Sequence, residues 1–509
     1  MDRHFITLGD CADEINGQLV NGCFPGKQVN QISCDSRSIQ ENTLFVAYKG
    51  PEVDGHDYIK SACSNGAVAT VVTDVVRLEG RPGIVVENSQ MAFSKLCSFF
   101  EGDPSSDLRV IGITGTNGKT TVHWMLHHAL IKLGSPSIRI GSLGISAEGL
   151  VERSGKVQTR HSGEIVMTTP GALEIHRALR LAVDKGIVSC VLETSSHALH
   201  QNRVRDVHYD AAVFTNLTPE HLNYHPDLEE YFQAKVLLFI QLSENWIDGA
   251  GKQGGAVINS DCPYGQRLIA LTLKMGLPLF TFGCDEQSTV KIIKFDQDIS
   301  QSTLHLQVEN QTHLVKSNLI GNYNGSNLAA AFATLLSLGY KTSKIAKALS
   351  DLPVVPGRLE PVGTEEIAVF VDYAHTGVGL ESVLSSVKDF VKQDLWVIFG
   401  CGGGKDPRKR LDMGTAAKKY ADRIVLTNDN PKNEDPEKII QEILMSGCKP
   451  EFIELDRGKA IEKTMRLVNK GDVVILAGKG HEDYQIIGGT TAYFSDQEEV
   501  RKAVNRGLL

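Results

Sequence analysis

The sequence predicts an α/β protein of three domains, an expectation carried by its length, by its alternation of apolar runs with helical stretches, and by two breaks in composition. At 509 residues the chain exceeds what one hydrophobic core ordinarily supports. The breaks fall at Glu101-Gly102-Asp103-Pro104 and at Leu352-Pro353, giving segments 1–103, 104–352 and 353–509. In the first, the apolar runs 43–47 and 67–72 alternate with polar turns, which reads as a small α/β unit. The second opens on a β-branched run from Val110 that enters a glycine-rich turn and then a helical stretch, 122–133. With strand candidates at 188–192 and 211–214, it reads as a P-loop-type domain with a mostly parallel sheet. The third holds strand candidates 368–371, 395–399, 423–427 and 473–476 separated by helical patterns, the signature of a Rossmann-like parallel sheet with helices on both faces.

Composition narrows the function. With 41% hydrophobic and 22% charged residues the chain reads as globular, and its formal net charge of −9 argues against nucleic acid as a partner. No basic segment followed by an apolar one opens the sequence, and no apolar run approaches the roughly 20 residues that span a bilayer. The expectation is a cytoplasmic protein with no membrane partner. Ten cysteines lie scattered without CxxC or Cys/His spacing, which fits reduced thiols better than a disulfide framework or a zinc site.

The glycine-rich turn is Gly115-Thr116-Asn117-Gly118-Lys119-Thr120-Thr121. Backbone N–H groups in such a turn point at phosphate oxygens, Lys119 adds a cation, and the Thr120 hydroxyl can ligate Mg²⁺ where the helix opens. The strict four-residue spacing would need Gly at position 113, where the chain has Ile113. Glu193 ends a strand candidate, where open α/β sheets bind ligands, and can give a phosphate-bound Mg²⁺ a hard oxygen ligand. A solvated strand-end carboxylate is the competing reading.

The variant loop spacing resembles that of the Mur ligase family, which joins amino acids to a carboxylate through an acyl phosphate. The first segment, with Asp35-Ser36-Arg37 and then Pro51-Glu52-Val53-Asp54, is similar to the uridine-nucleotide domain of the diaminopimelate-adding branch. The resemblance implies contacts to the UDP moiety from Ser36, Pro51, Glu52, Val53 and Asp54, although Asp-Ser-Arg alone is an ordinary polar turn. Thr168 and Thr169, with Ser195, Gln201 and Arg203, match the muramyl-peptide contacts. The stretch around Glu220-His221-Leu222-Asn223 leads to Lys235 and matches the segment in which a His ligates a second Mg²⁺ and a downstream Lys is carbamylated. A carbamate turns that ammonium into an anion suited to a hard cation. The implied metal ligands are therefore Thr120, Glu193, His221 and Lys235, and the implied catalytic set is Lys119, Glu193, His221 and Lys235. Glu220 and Asn223 stand where relatives commonly carry aspartates, and Pro226 where they carry Gly. Asn327, in the run Asn322 to Asn327, resembles the family's ATP-side asparagine, with at least one residue of the run expected to cap the following helix. Arg358 and His375 complete the implied ATP site.

In the third segment, Arg410, the run Asp429-Asn430-Pro431-Lys432, Gly478 and Glu482 match the acceptor contacts of the diaminopimelate-adding branch. Glu482 would meet an ammonium of the incoming amino acid. The family signature carries Arg where this chain has Lys432, a point charge in place of a planar fork. Positive charge is kept, which favours an acceptor with a distal carboxylate. The resemblance implies an ATP-dependent ligase acting on UDP-N-acetylmuramoyl-L-alanyl-D-glutamate and meso-diaminopimelate with two Mg²⁺ ions, working as a monomer in peptidoglycan precursor synthesis. L-lysine or another diamino acid as acceptor, and a catalytically silent nucleotide-binding regulator, are the alternatives.

Overall fold

The computed structural model describes residues 5–50, 53–147, 167–222, 224–247, 253–364, 366–404 and 406–507. Three large sheets follow one another along the chain. The first is built from β1 (Gln18–Val20), β2 (Gln31–Ser33), β3 (Thr43–Val46), β4 (Ala67–Val72) and β5 (Gly83–Val85), in the order β1-β5-β4-β3-β2 with only β1 antiparallel. Its apolar core reaches Ala172 of the helix Ala172–Asp184, so the first sheet and the central unit share a hydrophobic seam.

The central sheet holds β6 (Arg109–Thr114), β7 (Ser137–Gly141), β8 (Gly144–Ser146), β9 (Ser189–Glu193), β10 (Ala211–Phe214), β11 (Gly255–Asn259), β12 (Leu279–Gly283), β13 (Val290–Gln297), β14 (Ser302–Val308) and β15 (Gln311–Ser317). Its order is β15-β14-β13-β12-β11-β10-β6-β9-β7-β8, parallel from β13 to β7 and antiparallel at both edges. Strand β6 lies between β9 and β10, so the turn after it sits among the C-terminal ends of all three, where open α/β sheets present ligand sites. The antiparallel extension β13–β15 was absent from the sequence reading.

The third sheet holds β16 (Glu360–Pro361), β17 (Ala368–Asp372), β18 (Leu395–Phe399), β19 (Arg423–Leu426), β20 (Phe452–Ile453) and β21 (Val473–Ala477), ordered β16-β17-β21-β18-β19-β20 and parallel except for β16. Separate apolar clusters cover its two faces, one around Leu380, Val397 and Ile440 and one around Trp396, Ile461 and Val500. A hairpin of β22 (Tyr484–Ile487) and β23 (Thr490–Tyr493) follows. Among the described residues no helix is long and apolar enough to cross a membrane.

Candidate functional site

The phosphate loop leaves β6 and enters the helix Lys119–Lys132, whose N-terminus has no side-chain cap, so its first-turn N–H groups are left for an anion. Neighbouring strand ends brace the loop. The Thr116 N–H donates to the Asn216 carbonyl (2.9 Å), the Asn117 N–H to Asn216 Oδ1 (2.9 Å), and the Thr215 hydroxyl to the Asn117 carbonyl (2.6 Å). Asn327 abuts the loop: a Cβ on Gly118 would lie 2.3 Å from its Oδ1. The helix carrying Asn327 begins at Tyr323, and its N-cap Asn322 makes no side-chain cap bond. The expected capping role fails, because Asn324 and Asn327 lie inside the helix and bond to each other (2.9 Å).

Lys119 Nζ donates to the loop's own carbonyls at Gly115 (2.9 Å) and Thr116 (2.8 Å), and burial lowers its pKa. Thr120 donates to Glu193 Oε2 (3.0 Å), while Oε1 accepts from the Ser142 N–H (2.9 Å). Glu193 is wholly buried, and burial raises its pKa despite Lys119 nearby. Arg358 reaches in from the third unit, with Nη2 3.4 Å from Thr120 Oγ1 and its guanidinium 4.6 Å from the centre of the Tyr373 ring. Thr121 is buried in the same turn.

Lys235, on the helix Leu228–Ile247, is 1% exposed and donates to the Gly115 carbonyl (3.0 Å), the acceptor that Lys119 also uses. Burial first, and Lys119 second, push its pKa well below the usual lysine range. His221 has φ 58°, a left-handed conformation, and its ring packs edge-on against His197 with centroids 4.8 Å apart. Burial lowers its pKa to about 3, which leaves a neutral imidazole with a lone pair to give. A buried carboxylate beside a hydroxyl suits a divalent cation, although among the described residues no three His, Cys, Asp or Glu side chains gather as a metal site.

Three of the expected muramyl-peptide residues, Thr169, Ser195 and Arg203, gather at the Glu193 backbone. The Thr169 hydroxyl donates to the Glu193 carbonyl (2.8 Å) and accepts from the Ser195 N–H (3.0 Å); Arg203 donates to the Thr169 carbonyl. Gln201 donates to the Tyr224 hydroxyl (3.1 Å), and Thr168 is half-buried. In the first unit, Ser36 opens a short turn whose cap is Asp35, itself paired with Arg37 at 2.7 Å. Asp54 caps the next turn and pairs with His56 at 2.6 Å, so its carboxylate is committed locally; Val53 is exposed. Pro51, Glu52, Asn223 and Lys405 lie outside the described residues.

A cavity opens at the C-terminal ends of β17, β18, β19 and β21, lined by His375, Lys409, Arg410, Asp429, Lys432 and Glu482 among others. His375, expected at the ATP site, stands on this wall, within electrostatic reach of Glu220 in the central unit. Arg410, expected as an acceptor contact, has both terminal nitrogens held by Glu434 (2.7 and 2.8 Å) and Glu442 (2.7 Å), which raises its pKa. Asn430 is also committed, donating to Glu482 Oε2 (2.9 Å) and accepting from the Ile486 N–H (3.1 Å). Lys432 has φ 55° and is pinned through its backbone to the hairpin: its N–H donates to the Ile486 carbonyl (3.0 Å) and its carbonyl accepts from Gly488 (2.7 Å). Pro431 is buried beside it, and Gly478 takes φ 113° at the end of β21. Sequence reasoning missed Ser142, Thr215, Asn216 and the hairpin residue Ile486. Asn216 alone carried a signal, as the second residue after a strand beside the loop.

Three family profiles match the chain: Mur ligase family, catalytic domain, over residues 28–97; Mur ligase middle domain, over 113–335; and Mur ligase, glutamate ligase domain, over 357–480. A protein named UDP-N-acetylmuramoyl-L-alanyl-D-glutamate--2,6-diaminopimelate ligase from Geobacillus thermodenitrificans is 38% identical over 93% of this chain and 94% of its own. One of the same name from Aquifex aeolicus is 38% identical over 94% of each. A solved structure under that name superposes with a TM-score of 0.69 at 29% identity over 99% of both chains. A Thermotoga maritima MurF ligase in complex with ADP shares the fold, with a TM-score of 0.58 at 18% identity over 94% of this chain and 98% of its own. By sequence along its length and by fold, the chain belongs to the Mur ligase family.

Proposed function

We propose that the protein is an ATP-dependent amide ligase that joins meso-diaminopimelate to UDP-N-acetylmuramoyl-L-alanyl-D-glutamate, in the synthesis of a peptidoglycan precursor. The observation that carries the reading is the meeting of Lys119, Thr120, Glu193 and Lys235 around one phosphate loop, faced by Arg358 from the unit that holds the mixed-charge cavity. The name shared by the full-length relatives supports the acceptor. In this reading, residues 1–103 hold the UDP end, 104–352 carry out phosphoryl transfer, and 353–509 bring the amino acid.

The D-glutamate carboxylate attacks the γ-phosphate of ATP, giving an acyl phosphate and ADP. The acceptor amine then attacks the acyl carbon, phosphate leaves, and an amide remains. Lys119 turns from the Gly115 and Thr116 carbonyls onto the phosphates, and the first-turn N–H groups of the following helix hold the transferring group. Thr169, Ser195 and Arg203 orient the muramyl peptide against Glu193. Thr120 and Glu193 would hold one Mg²⁺, and His221 and a carbamylated Lys235 a second; the ions would neutralise charge on the transferring phosphoryl. Burial favours the unprotonated amine of Lys235, the form that adds to CO₂. Swinging of the third unit over the central one, through Arg358, would exclude water from the acyl phosphate. The protein acts as a cytoplasmic monomer without nucleic-acid or membrane partners.

Lys432 supports a second acceptor reading, because a point charge grips a distal carboxylate less selectively than an Arg fork. The test is phosphate release with ATP, Mg²⁺ and the muramyl dipeptide, with meso-diaminopimelate and L-lysine supplied separately. Turnover with diaminopimelate is expected. Preference for lysine moves the acceptor, and silence with both restores the regulator reading.

A further inference from the structure

We infer that Lys479 is a positioning residue that fixes the acidic wall of the acceptor cavity, a role that rests on the ligase reading above. Strand β21 ends at Ala477, and the chain turns through Gly478 (φ 113°) and Gly480 (φ 54°). A Cβ on Gly480 would lie 2.6 Å from Tyr373 Cβ, so this turn is closely confined. It sends the Lys479 side chain beneath the cavity, where it is 0% exposed. There Nζ donates to Asn430 Oδ1 (3.3 Å) and lies 3.6 Å from Glu482 Oε2 and 3.7 Å from Asp429 Oδ1.

Two buried cations lie under this cavity, and they have different tasks. Arg457 has a carboxylate of its own, Asp496 at 2.7 Å, and donates to the Ala477 carbonyl (3.1 Å) and the Asn428 carbonyl (3.4 Å), so it ties strand ends together. Lys479 has no such private partner among the described residues; the carboxylates near it are those that line the cavity. Asn430 is the bridge between them, since its oxygen accepts from Lys479 and its nitrogen donates to Glu482 Oε2 (2.9 Å). Rotating Asn430 toward an acceptor would break both bonds and a third to the Ile486 N–H.

One ammonium faces two carboxylates, which leaves one unit of negative charge to be met from the cavity. Asp429 Oδ1 is buried and accepts no hydrogen bond among the described residues. That unmet charge and the unused acceptor suit the ammonium of an incoming amino acid. Of the cations that line the cavity, Arg410 is held by Glu434 and Glu442, and Lys432 is tied to the hairpin through its backbone. Without Lys479 the two carboxylates repel each other across the floor, and Glu482 loses the orientation that Asn430 relays.

Steady-state kinetics of K479M, K479Q and K479R test the assignment, with ADP binding at the central unit as the check on folding. The neutral variants are expected to raise the KM for diaminopimelate roughly tenfold or more, with smaller changes in kcat and in the KM for ATP. K479R is expected to retain more acceptor affinity than K479Q. In an E482Q background K479M should add less than about threefold, because the partner it orients is gone. An unchanged acceptor KM, equal loss in K479R and K479Q, or a uniform fall in all parameters overturns the inference while wild-type turnover leaves the ligase reading standing. A wild-type protein that turns over with no amino acid overturns both.

Discussion

The Thr120 hydroxyl donates to Glu193 Oε2 across 3.0 Å, joining the first turn after the phosphate loop to the end of the neighbouring strand β9. Ser142 supplies two more donors to the same carboxylate, from its N–H at 2.9 Å and its hydroxyl at 3.2 Å. The sheet order makes this possible, because β9 pairs directly with β6. The carboxylate is thus held ready for a cation at the place where phosphates would arrive.

Glu193→Gln is expected to lower kcat by roughly 10²–10³-fold, the usual cost of removing a preorganised electrostatic group. Burial raises the Glu193 pKa, so the folded protein binds a proton more readily than the unfolded chain, and this residue's contribution to stability falls as pH rises above 4.5. At pH 7 the variant should therefore melt no lower than wild type. Added Mg²⁺ should raise the melting temperature of wild type but not of the variant, a calorimetric readout independent of turnover.

Burial of Lys235 lowers its pKa and so favours the amine form that adds CO₂, and a carbamate is expected in bicarbonate buffer. With ¹³C-labelled bicarbonate, an NMR carbonyl signal is expected in wild type and should be missing in Lys235→Met. Turnover should fall when CO₂ is stripped from the buffer and return when it is restored.

Lys432→Arg should raise kcat/KM for diaminopimelate by about tenfold, the worth of roughly 1.4 kcal/mol from a second charge-assisted hydrogen bond. Parallel assays with L-lysine should show little change. An equal gain for both amino acids would mean that residue 432 does not read the distal carboxylate.

His127 is wholly buried and its pKa is lowered from 6.5 to about 3, first by burial and then by His128 and Arg139. The unfolded chain takes up this proton below pH 6.5 while the folded protein does not, so stability present above that pH is lost as pH falls toward 3. The loss reaches at most about 1.4 kcal/mol per pH unit for each such imidazole. Melting temperatures measured from pH 7 to pH 5 should decline, and His127→Leu should flatten the decline.

The parallel strands were legible because their apolar runs are continuous: residues 188–192 anticipate Ser189–Glu193, and 473–476 anticipate Val473–Ala477. The antiparallel extension was not, since Lys291, Lys294 and Asp296 dilute the pattern of β13, although β14 alternates with Leu304, Leu306 and Val308 buried. The strand-end placement of the phosphate loop and of Glu193 was legible because each is a local motif there. The pairing of Arg410 was not legible, because its carboxylates come from Glu434 and Glu442, 24 and 32 residues further along. The bonds that commit Asn430 are likewise invisible before the hairpin folds against it.

The central claim, activation of a substrate carboxylate as an acyl phosphate, is tested most directly by isotope transfer. UDP-N-acetylmuramoyl-L-alanyl-D-glutamate carrying ¹⁸O in its free carboxylates is incubated with ATP, Mg²⁺ and diaminopimelate, and the released phosphate is analysed by mass spectrometry. One ¹⁸O atom in each phosphate is the predicted result; phosphate released without label would show that the carboxylate never reached phosphorus and would contradict the account.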